Sequence, residues 1–133
     1  MHLAAEYIIG LARLPDALLH RIEDRLGQWM PAPVYAAVFG SAALGSMKTD
    51  SDLDILLVRP DDADDVTWEA QVNDLAAEVT RWIGNDTRPL VFSAAELAER
   101  GGDEPVLRDV LANGLTVLGK RSWLAEQLRK RSG

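Results

Sequence analysis

The sequence predicts an α/β fold of the α+β kind, a small mixed sheet packed by helices. Three observations carry this expectation. Four short apolar runs, Val34–Phe39, Ile55–Val58, Leu90–Phe92 and Leu115–Leu118, are bounded by turn residues and partly β-branched, as strands are. Between them lie segments whose apolar residues recur every three or four positions, as on one face of a helix. The chain has 133 residues, enough for one domain with one core. The resulting order is α-α-β-α-β-α-β-α-α-β-α. Such alternation implies layers, with the sheet covered on one main face.

Taken in order, residues 1–13 carry Leu3, Tyr7, Ile8 and Leu11 at helical spacing. Leu14-Pro15-Asp16 breaks the chain and restarts it, Pro15 being suited to a first helical turn. Leu18, Leu19, Ile22, Leu26 and Trp29 make a second amphipathic helix, which Pro31 and Pro33 close before the first strand. Asp61, Asp62, Asp64 and Asp65 precede a further helix. Negative charge is favoured at a helix N-terminus, so they read as a solvated helix start and not as a metal cluster. Trp68, Val72, Leu75, Val79 and Trp82 then step by four, three, four and three residues, and Gly84-Asn85 ends this clearest of the helices. Pro89 belongs at the start of the third strand or on an edge. Ser93 and Glu96 fit a capping box. Pro105–Leu111 is a helix closed by Asn113-Gly114, and Ser122–Arg131 a last helix. The expected organisation is a single domain over 1–133, with N-terminal helices in 1–30, a core in 34–119 and a C-terminal helix in 120–133.

Composition narrows the function classes. Hydrophobic residues make up 47% and charged residues 26%, the balance of an ordinary globular domain. The net charge of −7 argues against sequence-independent nucleic-acid binding, which needs Lys and Arg to neutralise phosphates. Lys120, Arg121, Arg129, Lys130 and Arg131 gather near the C-terminus and read as a solvated helix end suited to the dipole. There is no cysteine, and the only histidines are His2 and His20, which excludes thiolate or histidine-rich metal centres. No apolar run approaches a membrane span and no secretory pattern opens the chain, so a cytoplasmic location is expected.

The chemistry concentrates between Tyr35 and Pro60. The first apolar run breaks at Gly40-Ser41, and ten residues later Asp52-Leu53-Asp54 leads into the second. Side chains alternate along a strand, so Asp52 and Asp54 share one face while Leu53 and Ile55 share the other. Two neighbouring carboxylates at a buried strand start repel each other unless something neutralises them. A divalent cation is the usual answer, and oxygen-only ligands favour Mg²⁺ or Mn²⁺. Gly40 lets a phosphate approach the backbone, and the Ser41 hydroxyl with N–H groups at a helix start can hold it. Metal and phosphate cradle together read as a nucleoside triphosphate site. Read as structure alone, Gly40-Ser41 is a strand-to-helix turn and Ser51-Asp52 a cap. Asp54, inside an apolar run, is what that reading explains worst.

Gly-Ser, ten residues and Asp-x-Asp, with Gly45 between, resemble the signature of the nucleotidyltransferase superfamily in its minimal form. The resemblance extends from about Val34 to Gly119, and its specific part is Gly40 to Asp54. It implies Mg²⁺- or Mn²⁺-dependent transfer of a nucleoside monophosphate, AMP from ATP or another triphosphate, to a hydroxyl of a protein or small molecule. In related systems the acceptor can be a partner toxin protein. Gly40 and Ser41 would hold phosphate, and Asp52 and Asp54 would hold metal and serve catalysis. Some relatives carry an upstream winged-helix domain; the N-terminal helices here are too short to form one, which leaves an upstream domain open.

Three departures from the pattern bear on activity. Ala43 and Leu44 stand where relatives are frequently basic, and Lys48 in the same loop reads as solvent-exposed. Relatives also place a third carboxylate on the next strand, where aligning Leu90–Phe92 puts Val91. Asp86 and Glu96 flank that strand without lying on it. A second function class therefore stands beside the enzyme: a catalytically weak nucleotide-binding or protein-interaction domain, antitoxin- or regulator-like.

Overall fold

The computed structural model describes residues 16–40 and 52–130. The helix expected over residues 1–13, together with Ser41, Gly45, Lys48 and Arg131, lies outside them. In chain order the described elements are α1 (Asp16–Gly27), β1 (Tyr35–Phe39), β2 (Leu53–Arg59), α2 (Asp65–Ile83), β3 (Thr87–Ser93), α3 (Ala94–Arg100), a 3₁₀ turn (Gly101–Asp103), α4 (Pro105–Asn113), β4 (Leu115–Leu118) and α5 (Arg121–Lys130). The strands form a mixed sheet in the order β3-β2-β1-β4. β1 pairs antiparallel with both β2 and β4, while β2 pairs parallel with β3.

The sheet is covered on both faces, not on one main face as its sequence suggested. Ala36, Val38, Leu53, Ile55 and Leu57 pack with Ile22 and Leu26 of α1 and with Trp68, Val72, Leu75 and Val79 of α2. On the opposite face Tyr35, Ala37, Leu56 and Val58 pack with Leu97 of α3, Leu107 and Val110 of α4, and Leu124 and Leu128 of α5. Every residue of β1 is buried. Continuous apolar runs such as Tyr35–Phe39 and Ile55–Val58 lack the polar alternation of a half-exposed strand, and burial on both faces is the physical reason.

The helix ends follow their local chemistry. The Asp64 carboxylate caps α2 by accepting a hydrogen bond from the Thr67 N–H at 2.8 Å. Asp61 accepts from the Ala95 N–H at 3.0 Å, and Asp65 pairs with Arg59 at 3.2 Å. The aspartate run is thus a helix start, as its position implied. Gly84 ends α2 with φ 81°, the left-handed conformation glycine adopts without strain. The Ser93–Glu96 capping box is present in full. Arg121, by contrast, opens α5 and does not end it; its Nε donates to the Leu111 carbonyl at 2.8 Å and ties α5 to α4.

β3 is longer than the sequence indicated. It begins at Thr87 and so includes Arg88, ahead of Pro89. Proline disrupts a central strand, but among the described residues β3 is an edge strand with one unpaired side, where a missing N–H is tolerated. This extension decides which residue faces Asp54.

Candidate functional site

The site lies where β1 ends and β2 and β3 begin. In the antiparallel pairing Phe39 stands opposite Asp54, and in the parallel pairing Arg88 stands opposite Asp54. Gly40, one residue past β1, therefore lies with Asp54 of β2 and Arg88 of β3 at one end of the sheet. Asp52 immediately precedes β2. The Leu53 N–H donates to the Asp86 carbonyl at 2.8 Å, which fixes the start of β2 against the approach to β3.

Gly40 has φ 77°, a conformation that an L side chain adopts only with strain. A Cβ placed there would come within 2.5 Å of Asp54 Oδ2. The glycine is therefore required twice, by its backbone and by the carboxylate beside it.

Asp54 is held between that glycine and a cation. Arg88 Nη1 donates to Asp52 Oδ2 at 3.2 Å, and Arg88 Nε lies 3.8 Å from Asp54 Oδ1. One guanidinium thus bridges both aspartates. The Asp52 side chain is 37% exposed and that of Asp54 28%, so both carboxylates open to solvent while Asp54 is the more enclosed. Burial pushes the Asp54 carboxyl above its ordinary pKa, Arg88 pulls it back, and the neighbouring Asp52 charge pushes it up further.

Asp52 and Asp54 share one site, as expected from their spacing, and Gly40 adjoins them; Ser41 lies outside the described residues. Val91 does not face the aspartates. It pairs with Leu57, three positions beyond Arg88, and alternation turns it to the opposite face of the sheet. There it is 38% exposed and lines a surface pocket with Arg59, Trp68 and Val72. Glu96 is spent on the capping box at the far end of β3. The residue that sequence reasoning missed is Arg88. Its signal was present, a lone cation next to a proline that an edge strand accepts, but starting the strand after Pro89 hid it.

The donor set fits one divalent cation. Two carboxylates supply hard oxygen ligands, and Mg²⁺ commonly completes its shell with substrate phosphates and water. Among the described residues no group of three or more His, Cys, Asp or Glu side chains comes together, so the carboxylates for a second cation are not assembled there.

Comparison with known proteins bears on what this row of residues belongs to. The model of the nucleotidyltransferase domain matches residues 19–99, more than half of the chain and all of β1, β2 and β3. The chain belongs to the nucleotidyltransferase domain family. Solved structures that this nucleotidyltransferase domain resembles include toxin–antitoxin complexes. One holds AMP-PNP, with a TM-score of 0.59 and 20% identity over 84% of this chain and 82% of that one. The MntA–HepT complex gives 0.55 and 17% identity over 87% and 82%. A tri-AMPylated HEPN toxin from Shewanella oneidensis in complex with an MNT antitoxin gives 0.53 and 18% over 86% and 81%. At these identities the likeness establishes the fold. No curated protein matches the sequence. No helix among the described residues is long and apolar enough to cross a membrane.

Proposed function

We propose that this nucleotidyltransferase domain transfers AMP from ATP to a hydroxyl on a protein partner, with Asp52 and Asp54 as metal ligands and Gly40 and Ser41 as the phosphate turn. The observation that carries the reading is the placement of Asp52 and Asp54 side by side beside a glycine that no other residue can replace without contact. Family membership supports nucleotidyl transfer as the reaction class. The structural likeness to complexes that contain AMP-PNP or an AMPylated HEPN toxin supports ATP as donor and a protein of that kind as acceptor.

In such a transfer the acceptor oxygen forms a bond to the α-phosphorus, the bond from that phosphorus to the bridging oxygen breaks, and pyrophosphate leaves. A bound divalent cation supplies electrophilic stabilisation of the phosphoryl oxygens. Asp52 and Asp54 place negative charge at the strand ends, where the cation and triphosphate would meet. Gly40 keeps the approach to Asp54 open. The proton of the incoming hydroxyl is released to solvent.

Incubation with α-labelled ATP, Mg²⁺ and a cell lysate tests the reading. Label is expected on a protein from α-labelled but not γ-labelled ATP, and none with Asp54→Asn. Transfer that survives Asp54→Asn, or that follows the γ-phosphate, overturns it. A second reading has its own support: the Arg88 guanidinium on both aspartates favours a nucleotide-binding or interaction domain with weak catalysis. Nucleotide binding without labelled product would select that reading.

A further inference from the structure

Arg88 sits where the chain itself provides the positive charge that Asp52 and Asp54 require. It pairs with Asp54 in the strand register, reaches both carboxylates, and keeps a side chain that is 68% exposed. It is anchored at its backbone, and its tip is paired yet open to solvent. A guanidinium favours phosphate as strongly as carboxylate, because its planar donors match two oxygens at once.

We propose that Arg88 is a tethered counter-cation that a divalent ion must displace, and that the polyphosphate of a nucleoside triphosphate draws it away. In the nucleotide-free protein the guanidinium holds the aspartate pair and opposes metal entry by charge and by occupancy. When a triphosphate arrives, the guanidinium exchanges carboxylate oxygens for phosphate oxygens, and the aspartates are released to a cation that the same phosphates share. Metal and nucleotide then bind as a pair and neither binds well alone. This inference rests on the nucleotide site proposed above and adds to it a residue that couples the two ligands.

The geometry separates this role from a merely structural one. An exposed ion pair contributes little to folding. A purely structural Arg88 would therefore leave both metal and nucleotide affinities unchanged when removed.

The test is titration of the full chain with Mn²⁺ alone, followed by its paramagnetic resonance signal, and with Mg²⁺·ATP by calorimetry. For Arg88→Gln, Mn²⁺ affinity without nucleotide is expected to rise roughly 2- to 30-fold, the range of two partly exposed ion pairs. The gain should shrink as salt is raised. Affinity for Mg²⁺·ATP should fall about fivefold, the net of a lost charge-assisted contact worth roughly 10- to 150-fold and the removed competition for the aspartates. Arg88→Lys, which keeps a charge but not the planar fork, should fall between the two and guards against a folding defect in Arg88→Gln. Unchanged Mn²⁺ affinity in Arg88→Gln, or unchanged Mg²⁺·ATP affinity beside a wild-type chain that binds it, overturns the counter-cation alone. A wild-type chain that binds no Mg²⁺·ATP overturns the nucleotide site itself, and the coupling with it.

Discussion

Replacing Gly40 with alanine isolates the contact at the centre of the site. Two penalties are superimposed. The backbone at φ 77° disfavours any L side chain by about 1–2 kcal/mol. The new methyl would also stand 2.5 Å from Asp54 Oδ2, 3.5 Å from its Cγ and 3.7 Å from its Cβ. Only the carboxylate tip is too close, and a carboxylate can rotate. The structure therefore relieves the clash by turning Asp54 aside, at about 1 kcal/mol, the low end of overpacking. The total is about 2–3 kcal/mol. In an Asp54→Ala background the tip is gone and the remaining Cβ contact is ordinary, so Gly40→Ala should cost only the backbone part. Urea unfolding of the four proteins of this cycle measures the difference as a coupling of about 1 kcal/mol. A coupling near zero, or a Gly40→Ala change within about 0.3 kcal/mol of wild type, refutes the reasoning.

Three further outcomes follow from other residues. The Asp54 carboxyl is raised above its ordinary pKa by burial, so its ionisation opposes folding. The sign is that the folded chain binds this proton more tightly. Asp54 therefore adds stability below its ordinary value of 3.8 and loses that contribution as pH rises through the raised folded value. Asp54→Asn should raise the melting temperature at neutral pH, with the gain vanishing toward pH 4 in a series of thermal scans. Ser93→Ala removes one half of the α3 capping box and should destabilise the chain by about 0.5–2 kcal/mol in urea, with Mn²⁺ affinity unchanged. Val91→Asp places its carboxylate on the face opposite Asp54, so Mn²⁺ affinity should not rise in the same titration used for Arg88.

Most of the architecture was legible because its signals are local. The apolar steps from Trp68 to Trp82, the Gly84 end and the Ser93–Glu96 pair are each decided within a few residues, and each formed as read. The spacing of Asp52 and Asp54 was also sufficient, since strand alternation alone puts them on one face. Position across strands was not legible. Whether Arg88 or Val91 meets Asp54 depends on where β3 starts and on its register with β2, and Pro89 obscured the start. Coverage of the second face depended on where α3, α4 and α5 return in space, which periodicity along the chain does not encode. The role of Gly40 was read as an opening for phosphate. The close approach of Asp54 across the sheet shows a separate constraint on the same residue.

The position of β1 sets a gradient of mobility across the site. β1 has strand neighbours on both edges and helices over both faces, so its amides are expected to be among the slowest to exchange with solvent. Gly40 continues from that strand, and Asp54 is paired with its last residue. Arg88 belongs to β3, which among the described residues has one free edge, where local fraying is easier. Asp54 is therefore tied to the most enclosed strand of the sheet and the guanidinium to an outer one. An exchange of partners at this site can proceed on the timescale of a side-chain swing while the framework that aligns the aspartates stays closed.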